Sequence, residues 1–352
     1  MEPAKPIRQL TLIVQETAQA ILQDLSAVRC IGDHIWLGSD EGTDLERLTL
    51  EGDTTSDHQS IPVARFLDLP EGESKEIDIE GLSYADYYLW IVGSHSLKRK
   101  KPKLDSSHEE ALARLQVITR EENRYLLGRI PLVDGQLYRE YPHPEDPKKM
   151  LTAAQLKRKQ QGGNQLTHCL QADPHLGAYL AAAIPGKENG FDIEGVAVKE
   201  NRVFLGLRGP VLRGWAVLLE LSLTDDGPGL LKIKKLEGTQ RYRKHLLDLQ
   251  GLGIRDLCWD GDDLLVLAGP TMDLSGLAEV FRIPNAVETL SQNACLKPEP
   301  ILDLLDKRDS DKAEGISLMA GSPGSVLVVY DAPSAERLTD YTVIADVFSL
   351  NQ

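Results

Sequence analysis

Cysteine is scarce in this chain. Its 352 residues include four cysteines, which are far apart and form no Cys-x-x-Cys pair: Cys30, Cys169, Cys258 and Cys295. A disulfide framework needs a higher density of cysteine, and a zinc site usually needs closely spaced pairs. We therefore expect reduced thiols that are buried or incidental.

Long hydrophobic runs are also lacking. No apolar stretch approaches the roughly 20 residues that a helix needs to cross a bilayer, and the longest, such as Val217–Leu223, has the length of a strand. The first residues, Met1–Pro6, lack the basic segment and apolar core of a secretory signal. We expect a cytoplasmic protein without a membrane partner.

Positive charge is in deficit. The chain has 39 Lys and Arg against 54 Asp and Glu, a net charge of −15, which opposes non-specific binding of nucleic acid by the body of the protein. The exception is the basic run Lys98–Lys103. It is either a solvated loop or a patch for nucleic acid, a phosphorylated ligand or an acidic protein partner, although it lacks the interleaved aromatics of single-strand binders.

The signature motifs of the commonest enzyme classes are missing as well. The sequence contains no P-loop, no Rossmann glycine fingerprint, no His-Glu-x-x-His and no Gly-x-Ser-x-Gly. Hydrophobic residues nevertheless make up 41% of the chain, which is enough to bury a large core. What remains open is a binding function or a less common chemistry.

An internal repeat is what the sequence does contain. Asp78–Gly81 and Asp192–Gly195 both read Asp-Ile-Glu-Gly, Glu314–Gly315 keeps the second half, and weaker copies begin at Asp24 and Gly253. Each copy leads into two short strands joined by a polar turn, followed by a third and a fourth strand. This is the four-stranded antiparallel blade of a β-propeller. The third position of the motif falls at Ser26, Glu80, Glu194, Arg255 and Glu314.

The repeats predict an all-β fold: one propeller domain (1–352) with five four-stranded blades, or six if one is hidden in the longest interval between copies. That interval carries helix signals, namely a capping box at Ser107–Glu110 and a helix-forming run at Met150–Gln161. We therefore favour five blades with a helical insertion at 132–178 in the second blade, and Tyr179–Ile184 as the fourth strand of that blade.

The two chain ends are predicted to close the ring. Leu10–Gln15 is strand-like but has no first strand before it, and the last blade lacks a fourth strand after Tyr341–Leu350. Pairing the two would remove two exposed sheet edges. In the first blade, Ala64–Leu69 is the predicted fourth strand.

Blade topology also predicts where a site lies. The first strand of each blade lines the channel and the second returns, so the motifs and the loops after the second strands meet at one channel mouth. Glu80, Glu194 and Glu314 could form an acidic ring there, with oxygen ligands that suit Ca²⁺ or Mg²⁺.

Other residues predicted at the mouth could bind a phosphate or carboxylate, because guanidinium groups match both in a bidentate fork. The predicted ligand-binding residues are Asp40, Arg208, Gly209, Arg255 and Asp256. His95 is a candidate general base beside Arg208. A structural interpretation competes with each of these: the motif glycines permit close packing near the axis, and the glutamates can pair with the arginines inside the fold.

Two segments, Asn189–Val198 and Val203–Val211, resemble the bacterial domain of unknown function numbered thirty-six-sixteen, with Asp78–Gly81 as a second anchor. The resemblance spans most of the chain and implies no activity. The Asp-Ile-Glu-Gly-Leu element is also similar to one in the propellers described as esterase-like activity of phytase, which implies metal-assisted phosphoester hydrolysis.

Two functions follow as hypotheses. The first is a propeller that binds a small anionic ligand or a protein partner at the channel mouth, without turnover. The second is a divalent-metal-dependent phosphoester hydrolase, with Glu80, Glu194 and Glu314 as metal ligands and Arg208 with His95 on the phosphate.

Overall fold

A computed structural model describes residues 3–236, 238–272, 276–304 and 310–350 of the protein. Strands account for 51% of the chain and helices for 13%, so the fold is mostly β, as predicted. In the described part of the chain, no helix is both long enough and apolar enough to pass through a bilayer.

The elements up to residue 65 form the first sheet. They are β1 (Arg8–Ile13), a 3-10 helix (Glu16–Gln23), β2 (Leu25–Ile31), β3 (His34–Ser39), β4 (Asp44–Glu51), β5 (Thr54–Pro62) and a 3-10 turn (Val63–Arg65).

The next region mixes strands with short helices. Its elements are β6 (Ile79–Ala85), β7 (Tyr88–Gly93), β8 (Lys98–Arg99), α1 (His108–Gln116), β9 (Ile118–Thr119), a 3-10 helix (Glu122–Tyr125), β10 (Leu127–Val133), β11 (Gln136–Leu137), β12 (Glu140–His143), β13 (Asp146–Thr152), β14 (Ala154–Leu156), α2 (Gln165–Leu170) and α3 (Gly177–Ala182).

The remainder is again dominated by strands. These elements are β15 (Asp192–Lys199), β16 (Arg202–Gly209), β17 (Trp215–Asp225), β18 (Leu230–Ile233), β19 (Tyr242–Asp248), β20 (Gly253–Asp260), β21 (Asp263–Gly269), β22 (Ala278–Ile283), α4 (Ala286–Gln292), β23 (Cys295–Leu296), β24 (Glu299–Leu304), β25 (Lys312–Leu318), β26 (Ser325–Asp331) and β27 (Thr342–Ser349).

The strand pairing is propeller-like. Within the described residues the main strands form antiparallel sets of four, in the orders β2-β3-β4-β5, β6-β7-β10-β14, β15-β16-β17-β19, β20-β21-β22-β24 and β25-β26-β27-β1. The first strands of these sets, called the inner strands below, contact one another in the closed order β2, β6, β15, β20, β25 and β2 again. Curled antiparallel sheets arranged around a common centre are the architecture that the repeat predicted.

The predicted closure by the chain ends is confirmed. β1 pairs antiparallel with β27, from Arg8 opposite Val347 to Ile13 opposite Thr342. Leu10 and Leu12 are fully buried by this pairing. The N-terminal strand therefore completes the last set and covers an edge that would otherwise be exposed.

Two predicted elements between residues 150 and 184 are wrong. The run Met150–Gln161 is not a helix, because Asp146–Thr152 pairs with β12 in a hairpin and Ala154–Leu156 joins the sheet beside β10. Long-range strand pairing has overridden helix propensity here. Tyr179–Ile184 is not a strand, since α3 occupies Gly177–Ala182, and the fourth strand of that set is β14.

The predicted insertion at 132–178 accordingly has little helical character. It contains β11 to β14 and the six-residue helix α2. In the first set the fourth strand is β5, Thr54–Pro62, and not Ala64–Leu69. β5 is polar because it lies at the outer side of its sheet, so its hydrophobic pattern is weak. The capping box at Ser107 is confirmed, with Glu110 at the start of α1.

Close backbone approach explains the glycines of the motif. A Cβ atom on Gly81 would lie 2.9 Å from the backbone nitrogen of Val196 in the neighbouring inner strand, and one on Gly195 would lie 3.2 Å from that of Leu257. Inner strands at this separation leave no room for a side chain. The structural interpretation of these glycines is confirmed.

Candidate functional site

Each inner strand has a β-bulge close to its start. In β6 the residues Ile79 and Gly81 pair with Gly93 and Val92, so Glu80 is skipped in the ladder. The same irregularity recurs in the other inner strands, and the skipped residues are Ser26, Glu80, Glu194, Arg255 and Glu314. A bulge turns one side chain out of the regular alternation. We call these five residues the bulge ring; they are the third positions of the sequence motif.

One part of the ring is a continuous chain of ion pairs. Arg255 Nη1 lies 2.5 Å and 2.6 Å from the two carboxylate oxygens of Glu314 and 3.2 Å from Glu194 Oε2. Arg208 Nη1 lies 2.7 Å from Glu194 Oε1, and its Nη2 contacts Asp192. We call Asp192, Glu194, Arg208, Arg255 and Glu314 the paired side.

The paired side is buried, so its charges depend on each other. Glu194 is 1% exposed. Burial raises the pKa of the Glu194 carboxyl, and the guanidinium groups of Arg208 and Arg255 act against that rise. With two arginines in contact we take Glu194 as ionised, because charge-assisted hydrogen bonds favour the carboxylate. Burial lowers the pKa of both arginines, whereas the adjacent carboxylates raise it. The effect of the carboxylates is the larger, so the net pKa of each arginine is raised and both side chains stay charged.

Glu80 is the exception in the ring. Its side chain is 9% exposed, yet no hydrogen-bond or ion-pair partner reaches it among the described residues. Its neighbours in the ring are Ser26, which donates to the carbonyl of Ile79, and the already paired Glu194. Burial, together with repulsion from Asp78 and Glu194, raises the pKa of Glu80 well above its usual value.

Two further carboxylates share this situation. Burial raises the pKa of Asp40 to about 8, and burial with repulsion from Glu41 raises the pKa of Asp24 to about 6. Neither side chain has a hydrogen-bond or ion-pair partner in the part of the chain that the structure describes, and Asp40 Oδ1 is fully buried. We call Asp24, Asp40 and Glu80 the acidic side of the mouth.

Lys187 is a cation that acts on both sides. It comes from the loop between α3 and β15, is exposed, and no ion pair holds it among the described residues. Partial desolvation lowers its pKa, but the charges of Asp40, Glu80 and Asp331 raise it, with a net rise. Lys187 also lines a small cavity of about 30 Å³, together with Arg208, Arg255, Lys312, Glu314 and Asp331.

Arg29 closes the channel one layer below the ring. Its guanidinium extends from β2 and donates to the carbonyls of Leu82 at 2.8 Å, Ile316 at 3.0 Å and Leu257 at 3.2 Å, one on each of three other inner strands. Asp256 lies 3.4 Å away as its counter-ion. The guanidinium of Arg29 and the carbonyl groups that it binds therefore form a polar layer at the bottom of the mouth.

A known protein family matches most of the chain. A family described as "Protein of unknown function (DUF3616)" matches residues 24–346. The chain belongs to the DUF3616 family. The match includes every residue of the bulge ring. No curated protein matches the sequence.

Solved structures resemble this DUF3616 protein only distantly. Glutaminyl cyclase from Myxococcus xanthus is 10% identical over 98% of this chain and 99% of its own, with a TM-score of 0.42. The PQQ-bound aldose sugar dehydrogenase from Streptomyces coelicolor is 8% identical over 98% of this chain and 100% of its own, with a TM-score of 0.38. A streptogramin B lyase is 9% identical, covers 96% of this chain and 97% of its own, and has a TM-score of 0.34. No chemistry is transferred from these likenesses.

His95, the predicted general base, has both ring nitrogens engaged. Nδ1 donates to the carbonyl of Gly93 at 2.7 Å, and Nε2 accepts from Asn164 Nδ2 at 2.7 Å. The residue is buried, and burial lowers its pKa to about 4. His95 is therefore neutral near pH 7 and holds the N-terminal cap of α2, with no lone pair free for proton transfer.

The predicted metal ligands do not converge on one point. Arg255 lies between Glu194 and Glu314, and among the described residues no ion pair joins Glu80 to either arginine. Within the described ranges there is no group of three His, Cys, Asp or Glu side chains arranged to hold a metal ion. Two of the three predicted ligands, Glu194 and Glu314, are thus already paired with guanidinium groups.

Two other predicted ligand residues have structural positions. Asp256 is fully buried and accepts hydrogen bonds from the backbone of Leu257 at 2.7 Å and Ile316 at 2.9 Å. Gly209 is buried at the end of β16, where a Cβ atom would lie 2.4 Å from the carbonyl oxygen of Gly190. In the basic run, Lys98 pairs with Glu76 and Arg99 with Glu188.

The sequence did not indicate Lys187, Arg124 or Arg29. Arg124 lies just before β10 and pairs with Glu76 and Asp78 at the start of β6. All three residues lie outside the repeat motif, so aligning the copies of the motif with one another could not reveal them. Arg29 was the most accessible to prediction, since it is an arginine in the middle of an otherwise apolar inner strand.

Proposed function

We propose that this DUF3616 protein is a five-bladed propeller whose channel mouth binds a small organic cation, such as a primary ammonium group, against the acidic side. The observation that carries the proposal is Glu80. It is a glutamate more than nine-tenths buried as a residue, at a repeated structural position, whose carboxyl group has no partner among the described residues. An ionised carboxylate in such a place is costly unless a cation reaches it.

The charge distribution favours a cation over the anion predicted from the sequence. That prediction required Arg208 and Arg255 to be available. Each instead contacts two carboxylates. An anionic ligand would have to displace one of them and would then face Asp40 and Glu80.

An ammonium group fits better than a divalent metal. Ca²⁺ takes six to eight oxygen ligands and Mg²⁺ requires near-octahedral geometry, and no carboxylate group of that kind is present in the described residues. An ammonium group has three N–H donors and is satisfied by two or three acceptors. The unpartnered carboxyl of Glu80 supplies two acceptor oxygens, and the charge of Asp40 adds to the negative potential around it.

The raised carboxyl pKa values give this binding a characteristic pH dependence. A cation binds the ionised carboxylate and so lowers the pKa of Glu80 and Asp40. Binding must then release protons at any pH at which these carboxyl groups are still protonated in the free protein. For Asp40 this pH range extends to about 8. Affinity is expected to increase as the pH rises from 6 to 8.

The test is calorimetric titration at pH 7.5 with three probes: 1,4-diaminobutane, Mg²⁺ and inorganic phosphate. We expect saturable binding of the diamine with proton release, and no binding in Glu80→Gln. The matched control is Glu109→Gln, an exposed glutamate on α1, which should bind like the wild type.

Each other outcome contradicts the proposal in a distinct way. Diamine binding that is equal in the wild type and Glu80→Gln would place the site elsewhere. Binding of phosphate alone would restore the anionic ligand, and binding of Mg²⁺ alone would restore the metal site. Absence of binding by all three probes would leave Glu80 as a neutral, purely structural carboxylic acid.

A further inference from the structure

A second cavity lies away from the channel mouth, between the loop that follows β7, the short strand β9 and the helices α2 and α3. Its volume is about 380 Å³, within the size range of small-molecule sites. Its walls are largely aromatic and aliphatic, and include His95, Tyr125, Tyr179, Leu180, Ile184 and Phe191. We call it the aromatic cavity.

The polar groups around the aromatic cavity carry no unpaired charge. His95 is neutral because burial lowers its pKa to about 4. Arg120, at the rim, donates from Nε to Glu122 at 2.8 Å, and its guanidinium lies 4.6 Å from the centre of the Tyr125 ring. A charged ligand would therefore find no counter-ion, whereas an apolar body would be surrounded by suitable partners.

Hydrogen-bonding groups are nevertheless available. Tyr125 in the wall and Gln171 at the exposed rim both line the cavity, and neither the Tyr125 hydroxyl nor the Gln171 side chain has a hydrogen-bond partner among the described residues. A few polar groups in a mostly apolar wall are typical of sites that fix the orientation of a ligand. The ligand is thus expected to have at least one hydrogen-bonding substituent.

The cavity walls are fixed at some cost in backbone strain. His95 has a φ of +57° and Ala183 a φ of +53°, and both residues line the cavity. Left-handed backbone at residues other than glycine is uncommon, and it concentrates at functional sites where the surroundings hold it in place. The bond from Asn164 to His95 provides such a constraint, since Asn164 also caps α2 through the backbone of Leu166 and Thr167.

From these observations we infer that the aromatic cavity is a binding site for a small, uncharged, largely aromatic molecule. It is independent of the cation site at the mouth. His95 serves there as a rigid, neutral wall, and its burial is explained without a catalytic role.

The probe for this inference is N-phenyl-1-naphthylamine, an uncharged dye whose fluorescence increases in apolar surroundings. We expect saturable binding with one equivalent per chain. Thr119→Trp places an indole in the cavity from the half-buried rim strand β9 and should weaken binding by about tenfold or more, equivalent to about 1.4 kcal/mol. The matched control is Thr342→Trp, a half-buried threonine on β27, which should bind like the wild type.

Should Thr119→Trp lower the melting temperature strongly, Gln171→Trp at the exposed opposite rim replaces it, with the same expectation. Glu80→Gln should leave dye binding unchanged, which separates this site from the mouth. The inference is overturned if the wild type shows no saturable binding, or if a folded Trp variant at the rim binds the dye as well as the wild type does.

Discussion

The two sides of the channel mouth are built from the same repeated position and yet differ in their charge balance. On the paired side, Glu194, Arg255 and Glu314 alternate in sign around the ring, and Arg208 adds a second cation. On the acidic side, Glu80 stands between Ser26 and Glu194 in the order of the blades, with Asp40 and Asp24 nearby and no ion pair to a cation in the described part of the chain.

This difference shows that the β-bulge determines only the position of a side chain and not its partners. Each inner strand presents its third motif residue at the same point, because the ladder skips it. Whether that residue is structural or available then depends on its neighbour. Where an adjacent blade offers an arginine, as Arg255 does to Glu194 and Glu314, the glutamate is part of the frame. Where neither adjacent blade does, as at Glu80, the glutamate is left to a ligand or a proton.

The largest effect is expected when the paired side is broken. Arg255→Leu removes the guanidinium between Glu194 and Glu314 and leaves both carboxylates buried without it. We expect a loss of about 3–5 kcal/mol in the free energy of unfolding, measured by urea denaturation at pH 7. The control is Lys232→Ala, which removes an exposed ion pair with Asp226 and should cost less than about 1 kcal/mol. Equal losses in the two variants would remove the distinction between a buried network and surface pairs.

A smaller effect compares the two glutamates directly. Glu194→Gln takes a charge from between two arginines and should destabilise the protein by on the order of 3 kcal/mol. Glu80→Gln replaces an unpartnered carboxyl by a group of the same shape, so the unfolding free energy at pH 7 should stay within about 1 kcal/mol of the wild type, or rise. Losses of the same size at both positions would show that Glu80 has a structural partner after all.

The smallest expected effect is the pH dependence that the acidic side gives to stability. A carboxyl whose pKa is raised on folding holds its proton more tightly in the folded state, so the free energy of unfolding falls as the pH rises between the unfolded and folded values. For Asp40 that window runs from 3.8 to about 8, and for Asp24 from 3.8 to about 6. We expect the melting temperature to fall by a few degrees between pH 5 and pH 8. Asp40→Asn with Glu80→Gln should flatten the profile, and an unchanged profile in that double variant would contradict the assignment.

Much of the fold could be predicted from the sequence, because inner strands are apolar and their motif repeats. Asp-Ile-Glu-Gly at 78 and 192 located two inner strands and the ring position, and the leftover strand Leu10–Gln15 predicted the closure with the C-terminal strand. Edge elements were missed where hydrophobic periodicity is weak. β5 is largely polar, and the hairpin of β12 and β13 is mostly exposed.

The candidate site was predictable in position but not in charge. Repeats show which residues converge, but they do not show which side chains touch. Arg208 and Arg255 were expected at the mouth and are there, but as partners of Asp192, Glu194 and Glu314. Whether a buried arginine is available to a ligand or already paired with carboxylates depends on differences of an ångström or two in nitrogen–oxygen distances. These distances follow only from the packed structure.

The most direct test of the account is the pKa of Glu80 itself. It can be measured by a ¹³C NMR titration of the glutamate side-chain carboxyl carbons, with Glu80→Gln to assign the resonance. The account predicts a midpoint well above the usual value near 4.5, and a downward shift of that midpoint when 1,4-diaminobutane is added. A midpoint at or below 4.5 in the free protein would show that Glu80 already has a stabilising partner, and it would contradict the division of the mouth into a paired and an acidic side.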